Sequence, residues 1–254
     1  MRLAVLADIH GNSFALSAVL EHAGRQGVDR FVNLGDIHYG PLDPAGTALL
    51  LAGRPMPTVS GNQDRLLLDP PGRQGPTLEF VLAALPAWEL ERLAALPWVM
   101  TLEGGVLLCH GTPCDDARYL LDDVDSGLPE PRRPEAVEAE LAGWDYPLVL
   151  CAHSHVPRVL HTGRRLVVNP GSVGLPAYTD DQPPHAMSCG SPHARYAVVE
   201  RAGAGWRAEL FAVDYDWDAA AALAAANGRD DWADCLATGR AEPPAPASPQ
   251  GETP

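Results

Sequence analysis

A chain of 254 residues with 46% hydrophobic content can bury one large core or two small ones, yet no run approaches the ~18 apolar residues of a membrane span. Its formal charge of −15, with arginine supplying all 18 basic residues, argues against the broad basic surface that a nucleic-acid polymer needs. The five cysteines form no CxxC pair and the N-terminus enters a strand-like run without a leader pattern, so a reduced, cytoplasmic protein is expected.

Arg2–Ala7 reads as a buried strand. Ser13 follows as a helix cap, with apolar residues at 15, 16, 19 and 20 at helical spacing. Arg30–Asn33 reads as a second strand ended by Gly35-Asp36, residues 44–53 as a helix, and Pro57–Val59 as a short third strand before "SGNQD". This alternation predicts an α/β parallel sheet. Residues 77–96 read as helical with a break at Pro86. Trp98–Leu102 and Gly105–Cys109 flank "EGG" as a hairpin, with His110 at its end. Residues 115–122 and 134–142 read as short helices, and Leu148–Cys151 as a strand ending in "AHSH". Residues 158–162 and 165–168 pair across "GRR", and "NPGSVG" follows at 169–174. Residues 178–194, carrying His185 and His193, read as a long polar loop. Tyr196–Glu200 and Arg207–Val213 close the pattern as strands, then 216–226 and 229–238 as helices. Residues 1–240 are expected to form the folded domain, and the Pro- and Ala-rich 241–254 a disordered tail.

Five strands end in ligand-type residues: Asp8 and His10, then Asp36, Asn62, His110, and finally His153 and His155. In open α/β sheets, sites form at the carboxyl ends of strands. Residues i and i+2 of an extended segment point the same way, so Asp8 and His10 could grip one ion together, and so could His153 and His155. Any one such residue is usually a cap or a turn residue; the ordered set is what points to chemistry. Four histidines, two aspartates and one asparagine, without thiolates, suit Mn, Fe, Zn, Co or Ni better than Ca or Mg. Seven side chains exceed one tetrahedral site and fit two ions about 3.5–4 Å apart that share a carboxylate.

The motifs Asp8-Ile9-His10, Gly35-Asp36, Gly61-Asn62, His110-Gly111 and His153-Ser154-His155 resemble, in order, those of the calcineurin-like metallophosphoesterase superfamily. The resemblance runs from residue 1 to about 213. "YGP" after Gly35-Asp36 and "NPGSVG" after the last motif are similar to the smaller prokaryotic, phosphodiesterase-type members. The resemblance implies a four-layer α/β/β/α sandwich of two mixed sheets flanked by helices. It implies two divalent transition-metal ions, Mn first among them, one held by Asp8, His10, Asp36 and His155. Asp36, Asn62, His110 and His153 would hold the other, with Asp36 as bridge and with Asp36, Asn62 and His110 in catalytic roles. The family's third motif usually places a histidine, the usual proton donor to the leaving group, where this chain has Gln63. Glutamine donates a hydrogen bond but transfers no proton at neutral pH.

The expected activity is hydrolysis of a phosphodiester or phosphoanhydride of a small nucleotide-like substrate by a metal-bridging hydroxide. Phosphomonoesterase or protein phosphatase activity is the alternative, and a non-catalytic metal-binding scaffold a remoter one. Asn12, Gln63 and His38 are candidate substrate contacts; Asn12 could equally stabilise its turn, and His38 lies close enough to Asp36 to replace the missing acid. Asp64 is expected to brace its motif. Arg118, Arg158, Arg164 and Arg165 are candidate phosphate clamps, and Gly171-Ser172 either an anion nest or a packing turn. The partner expected is a small phosphate ester, with neither a nucleic-acid polymer nor a membrane; a homo-oligomer is compatible with the sequence. There is no GxxxxGK[ST] loop and no GxSxG elbow.

Overall fold

Every residue from Leu3 to Ala7 is fully buried, because strand β1 (Arg2–Leu6) carries apolar neighbours on both faces. In the computed structural model, which describes residues 1–68 and 75–244, the chain continues through α1 (Ser13–Gly24), β2 (Arg30–Asn33), α2 (Pro44–Leu51), α3 (Asn62–Leu68), α4 (Pro76–Ala84) and α5 (Ala87–Ala94). The second part adds β3 (Met100–Leu102), β4 (Val106–Leu108), β5 (Asp122–Asp123), β6 (Glu130–Pro131), α6 (Pro134–Glu140), β7 (Leu148–Leu150), β8 (Arg158–His161) and β9 (Leu166–Asn169). Two hairpins follow, β10 (Ala177–Asp181) with β11 (Pro184–Ser188) and β12 (Ala194–Ala202) with β13 (Gly205–Val213), and then α7 (Trp217–Ala226) and α8 (Asp230–Thr238).

The strands form two mixed sheets, ordered β13-β12-β1-β2 and β3-β4-β7-β9-β8. Successive side chains of a strand point to opposite faces. Leu3, Val5 and Ala7 therefore meet Val106, Leu108, Leu148, Leu150 and Val168 of the other sheet in one apolar layer. Ala4 and Leu6 turn the other way, onto Ala15, Leu16 and Val19 of α1. Leu107, Val149 and Val167 turn away from the first sheet onto Val137 and Leu141 at α6. This is the α/β/β/α sandwich expected from the sequence. β1 runs parallel to β2, and β4, β7 and β9 run parallel to one another, so the ends of these strands collect at one rim. Among the described residues no helix is long and apolar enough to cross a membrane.

Several local expectations change. Asn12, not Ser13, caps α1: its Oδ1 accepts from Ala15 N at 3.0 Å, while the Ser13 hydroxyl donates to Asp43 at 2.7 Å. Pro57–Val59 makes only an isolated bridge, Asn33 to Thr58. The motif at 61–64 opens α3, which the sequence left unassigned. Residues 115–122 form turns leading into β5 rather than a helix, because Ala117 and Tyr119 lend their carbonyls to His153 and Arg132. Half of the polar loop at 178–194 is the β10–β11 hairpin, paired from Ala177↔Ser188 to Asp181↔Pro184. Most of the tail expected to be disordered, residues 245–254, lies outside the described residues; at its start Ala241 N donates to Ser188 Oγ at 2.9 Å.

Candidate metal centre

The strand-end loops are built as a set. Beyond β1 and β2 the chains stay side by side: Asp8 N donates to Gly35 O at 3.0 Å, His10 N to Asp36 O at 3.0 Å and Gly11 N to Ile37 O at 2.9 Å. Asp8, His10, Asp36, His153 and His155 all have positive φ, between 52° and 70°, and are the non-glycine residues that do so among those described. Left-handed backbone at a side-chain-bearing residue costs on the order of 1–3 kcal/mol and persists where the surroundings over-determine it. The alternation of an extended strand is thus not what aligns Asp8 with His10, since β1 ends at Leu6; the loop's left-handed residues turn both inward.

Two braces hold these loops. Buried Asp64 accepts from Asp36 N at 2.8 Å, Ile37 N at 2.9 Å and Gly61 N at 3.0 Å, which is the bracing role expected of it. Gly61 is needed there, because a Cβ would lie 2.1 Å from Asp36 Oδ1. "NPGSVG" is the second brace and a packing turn: Ser172 Oγ donates to Asp8 O at 2.7 Å and Gly174 N to the same oxygen at 3.0 Å. At Gly174 a Cβ would sit 1.8 Å from Ile9 O.

The ligand-type atoms fall into two groups, Asp8/His10/His155 and Asp36/His110/His153, each with its atoms within 4.8 Å of one another. His153 and His155 therefore do not share a group, contrary to the i, i+2 reading and in keeping with the family resemblance. Asn62 joins the second group, with Oδ1 3.1 Å from His110 Nε2. His10, His110 and His155 each donate Nδ1–H to a carbonyl, of Tyr39 at 2.9 Å, Leu34 at 2.7 Å and Leu175 at 2.6 Å. Their Nε2 atoms face the site as lone pairs. His153 is reversed, donating Nε2–H to Ala117 O at 3.1 Å and leaving Nδ1 free for the site. Such hydrogen bonds fix tautomer and ring orientation in metal-ligating histidines.

These residues fit divalent cations. Nε2 of His10 and Nε2 of His155 are 3.0 Å apart, a contact between two acceptors unless a cation or proton lies there. Both Asp8 oxygens are buried and make no hydrogen bond among the described residues. In the metal-free chain, burial opposes the charge on His110, but Asp36 at 3.4 Å and then Asp8 at 3.9 Å outweigh it and push its pKa up to about 10. Burial, then the neighbouring His155, pushes His10 down to about 4; burial, then His110, does the same to His153. Against burial, His110 holds Asp36 below the usual carboxylate range, and His155 holds Asp8 there.

Of the candidate substrate contacts, only Gln63 lines the cleft of about 650 Å³ that opens over both groups. Its backbone N–H donates to Asp36 Oδ1 at 2.9 Å, and its side-chain Oε1 is buried and unpartnered among the described residues. Asn12 is spent on structure: besides capping α1, its Nδ2 donates to Gly174 O at 2.9 Å. His38 is fully buried away from the cleft, with Nε2 2.5 Å from Glu89, because that buried carboxylate needs donors. Of the candidate clamps, Arg118, Arg158 and Arg165 pair with Glu140, Asp122 and Glu138, and Arg164 is exposed; none lines the cleft. Among the described residues, the arginines that line the cleft are Arg229 and Arg240, on a wall completed by Tyr39, Tyr178 and Trp232. No motif or spacing marks these residues; only packing brings α8 and the β10–β11 hairpin to the rim.

The calcineurin-like phosphoesterase superfamily domain matches residues 1–189. The crystal structure of a metallophosphoesterase from Sphaerobacter thermophilus aligns with a TM-score of 0.73 at 26% identity, over 94% of this chain and 100% of that one. A hypothetical protein from Pyrococcus horikoshii OT3 shares the fold, with a TM-score of 0.74 and 22% identity over 94% of this chain and 98% of its own. No curated protein matches the sequence. With the five motifs in order, two Asp/His groups that could hold divalent cations, and a domain match over most of the chain, the protein belongs to the calcineurin-like phosphoesterase superfamily and is a phosphoric ester hydrolase.

Proposed function

We propose that the chain uses two divalent transition-metal ions, Mn²⁺ first among them, to hydrolyse a phosphodiester or phosphoanhydride in a small nucleotide-like molecule. The observation that carries this reading is the division of buried Asp/His atoms into two adjacent groups with their lone pairs turned inward. Asp8, His10, Asp36 and His155 would hold one ion; Asp36, Asn62, His110 and His153 would hold the other. When bound, the ions would supply a water acidic enough to act near neutral pH and positive charge for the phosphoryl oxygens.

The chain's own residues account for the rest. Backbone carbonyls behind the four imidazoles hold their rings in place, so little reorganisation is required on loading. Asp64 and "NPGSVG" keep the strained loops from relaxing. Gln63, at the cleft, can orient a leaving group by a hydrogen bond but cannot protonate it. The cleft's size suits a small molecule rather than a polymer. All five cysteines are free thiols, which supports a reducing, cytoplasmic setting. The test couples metal analysis of the purified protein to a panel of an aryl diester, a dinucleoside polyphosphate and an alkyl monoester. The reading expects two ions per chain and turnover of the first two substrates well above the third. A preference for the alkyl monoester would favour the phosphatase alternative.

A further inference from the structure

Of the four histidines in the two groups, His153 is held differently. Its ring faces the site through Nδ1 rather than Nε2, and it is only half-buried where His10, His110 and His155 are buried. Its backbone has a φ of +70°. Being partly exposed, the His153 ring depends more than its three buried partners on the few contacts that hold it. Two segments from different parts of the chain close on it. The loop after β4 supplies the Ala117 carbonyl, and two residues later Tyr119 stacks on the His153 ring with centroids 4.8 Å apart and planes 23° apart. The β10–β11 hairpin supplies Tyr178, whose hydroxyl donates to His153 O at 3.0 Å.

The two segments are also bonded to each other. Tyr119 Oη lies 2.8 Å from Tyr178 Oη and 2.9 Å from His185 Nε2. His185 donates Nδ1–H to Pro183 O at 2.6 Å, which holds its ring in place. Tyr178 spends its one hydroxyl proton on His153 O, so Tyr119 is the donor between the two hydroxyls. The chain of hydroxyls thus runs from Tyr119 through Tyr178 to the His153 carbonyl, with buried His185 beside it.

The geometry points to Tyr119, Tyr178 and His185 as positioning residues that set the affinity of the Asp36/His110/His153 site selectively, by fixing His153. The inference rests on the two-ion reading above. None of the three residues touches an ion in it. The ring of Tyr178 also packs edge-on against His155, at 4.6 Å, so a test must remove its hydroxyl and keep its ring.

The experiment is a Co²⁺ titration of the metal-stripped full chain, followed by calorimetry and by the visible absorption of Co²⁺, which reports coordination geometry. Wild type should fill in two steps, and the step lost in His110→Ala identifies the second site. Tyr178→Phe and Tyr119→Phe should each weaken that step by about 10-fold and leave the other unchanged, the low end of the range for removing an outer partner of a ligand. Tyr119→Ala, which also removes the stacked ring, should weaken the same step further, toward ~100-fold. The metal-free melting temperature of the two phenylalanine variants should stay at the wild-type value, which a merely structural role would not predict. Equal weakening of both steps, or unchanged titrations, would overturn the assignment. Wild type that binds one Co²⁺ or none would instead overturn the two-ion reading and this inference with it. If Tyr119→Ala does not fold, the two phenylalanine variants, each lacking a single oxygen, decide the matter.

Discussion

Nε2 of His10 lies 3.0 Å from Nε2 of His155, and each ring has already donated its Nδ1–H to a backbone carbonyl. Asp8 stands beside them, with Oδ1 3.4 Å from His155 Nε2. Such a contact is stable only with positive charge inside it. Asp8→Asn should therefore lower the loading of one ion, whereas Asp36→Asn, at the carboxylate read as shared, should lower both. His161→Ala, at an exposed position outside the motifs, should change neither. Metal content and turnover of the purified variants check this; wild-type loading in Asp36→Asn would remove the bridge.

Metal uptake should be coupled to one proton in particular. His110 is held up at about 10 by Asp36 and Asp8 against burial, so near neutral pH it must release a proton to accept an ion. Protonation competes with the metal, so acid weakens binding. Affinity at that site should climb about tenfold per pH unit between about pH 6 and 8. His10 and His153, pushed down to about 4, are already neutral there and contribute no slope. Calorimetry in two buffers of different ionisation enthalpy counts the protons; a flat affinity over that range contradicts the expectation.

Gln63 gives a leaving-group prediction. An alkoxide needs a proton as it departs, and a general acid typically contributes ~10²–10⁴-fold. An aryloxide, or a phosphate from an anhydride, departs with little help. Wild type should show a steep dependence on leaving-group pKa, and Gln63→His should raise activity on alkyl leaving groups more than on aryl ones. A shallow wild-type dependence would mean that another donor serves the cleft.

His38 should matter for stability and not for that dependence. Its Nε2 lies 2.5 Å from Glu89, which Arg92 also contacts at 2.7 Å. Burial raises the Glu89 pKa, but the hydrogen bonds from Arg92 and His38 outweigh it and hold the group below its usual value. This contribution is present above the ordinary carboxylate range and fades as pH falls through it. His38→Ala should cost about 1–3 kcal/mol in denaturant unfolding near neutral pH, with the leaving-group slope unchanged. An altered slope at wild-type stability would restore His38 as a proton donor.

The rim of the cleft is acidic. Asp180, Asp231, Asp234 and Glu242 line it against Arg229 and Arg240, and Arg229 is already paired with Asp231 at 2.6 Å. With a chain charge of −15, a polyanionic substrate should meet repulsion that salt relieves. Its kcat/KM should rise with ionic strength, and Asp234→Asn should raise it several-fold at low salt. Duplex DNA should bind weakly even at low salt. Tight, salt-sensitive DNA binding would revive a nuclease reading.

How much of this was legible in the sequence depended on the range of the forces involved. β1, β4, β7 and β9 could be read directly, because a strand buried on both faces must be apolar throughout, and the runs at β1, β4 and β7 ended in ligand-type residues. The motifs, in order, supplied the family and the fold. Chain order alone could not divide the seven side chains into two groups. That division depends on left-handed turns at Asp8, His10, Asp36, His153 and His155, which carry no local sequence signal and are held by distant braces at Asp64 and Ser172. His38 looked available because it is near Asp36 in sequence; a buried carboxylate 51 residues away claims it instead. The β10–β11 hairpin was hidden because its acidic residues and paired prolines resemble a loop, and only its packing against His153 and Tyr119 makes it a wall of the site. The sequence by itself determined the sandwich and the candidate ligand residues, because apolar runs and strand-end motifs are local. Only the tertiary structure decided which of their atoms lie together, which ring nitrogen faces each group and which residues line the cleft, because contacts between segments far apart in the chain set each of these.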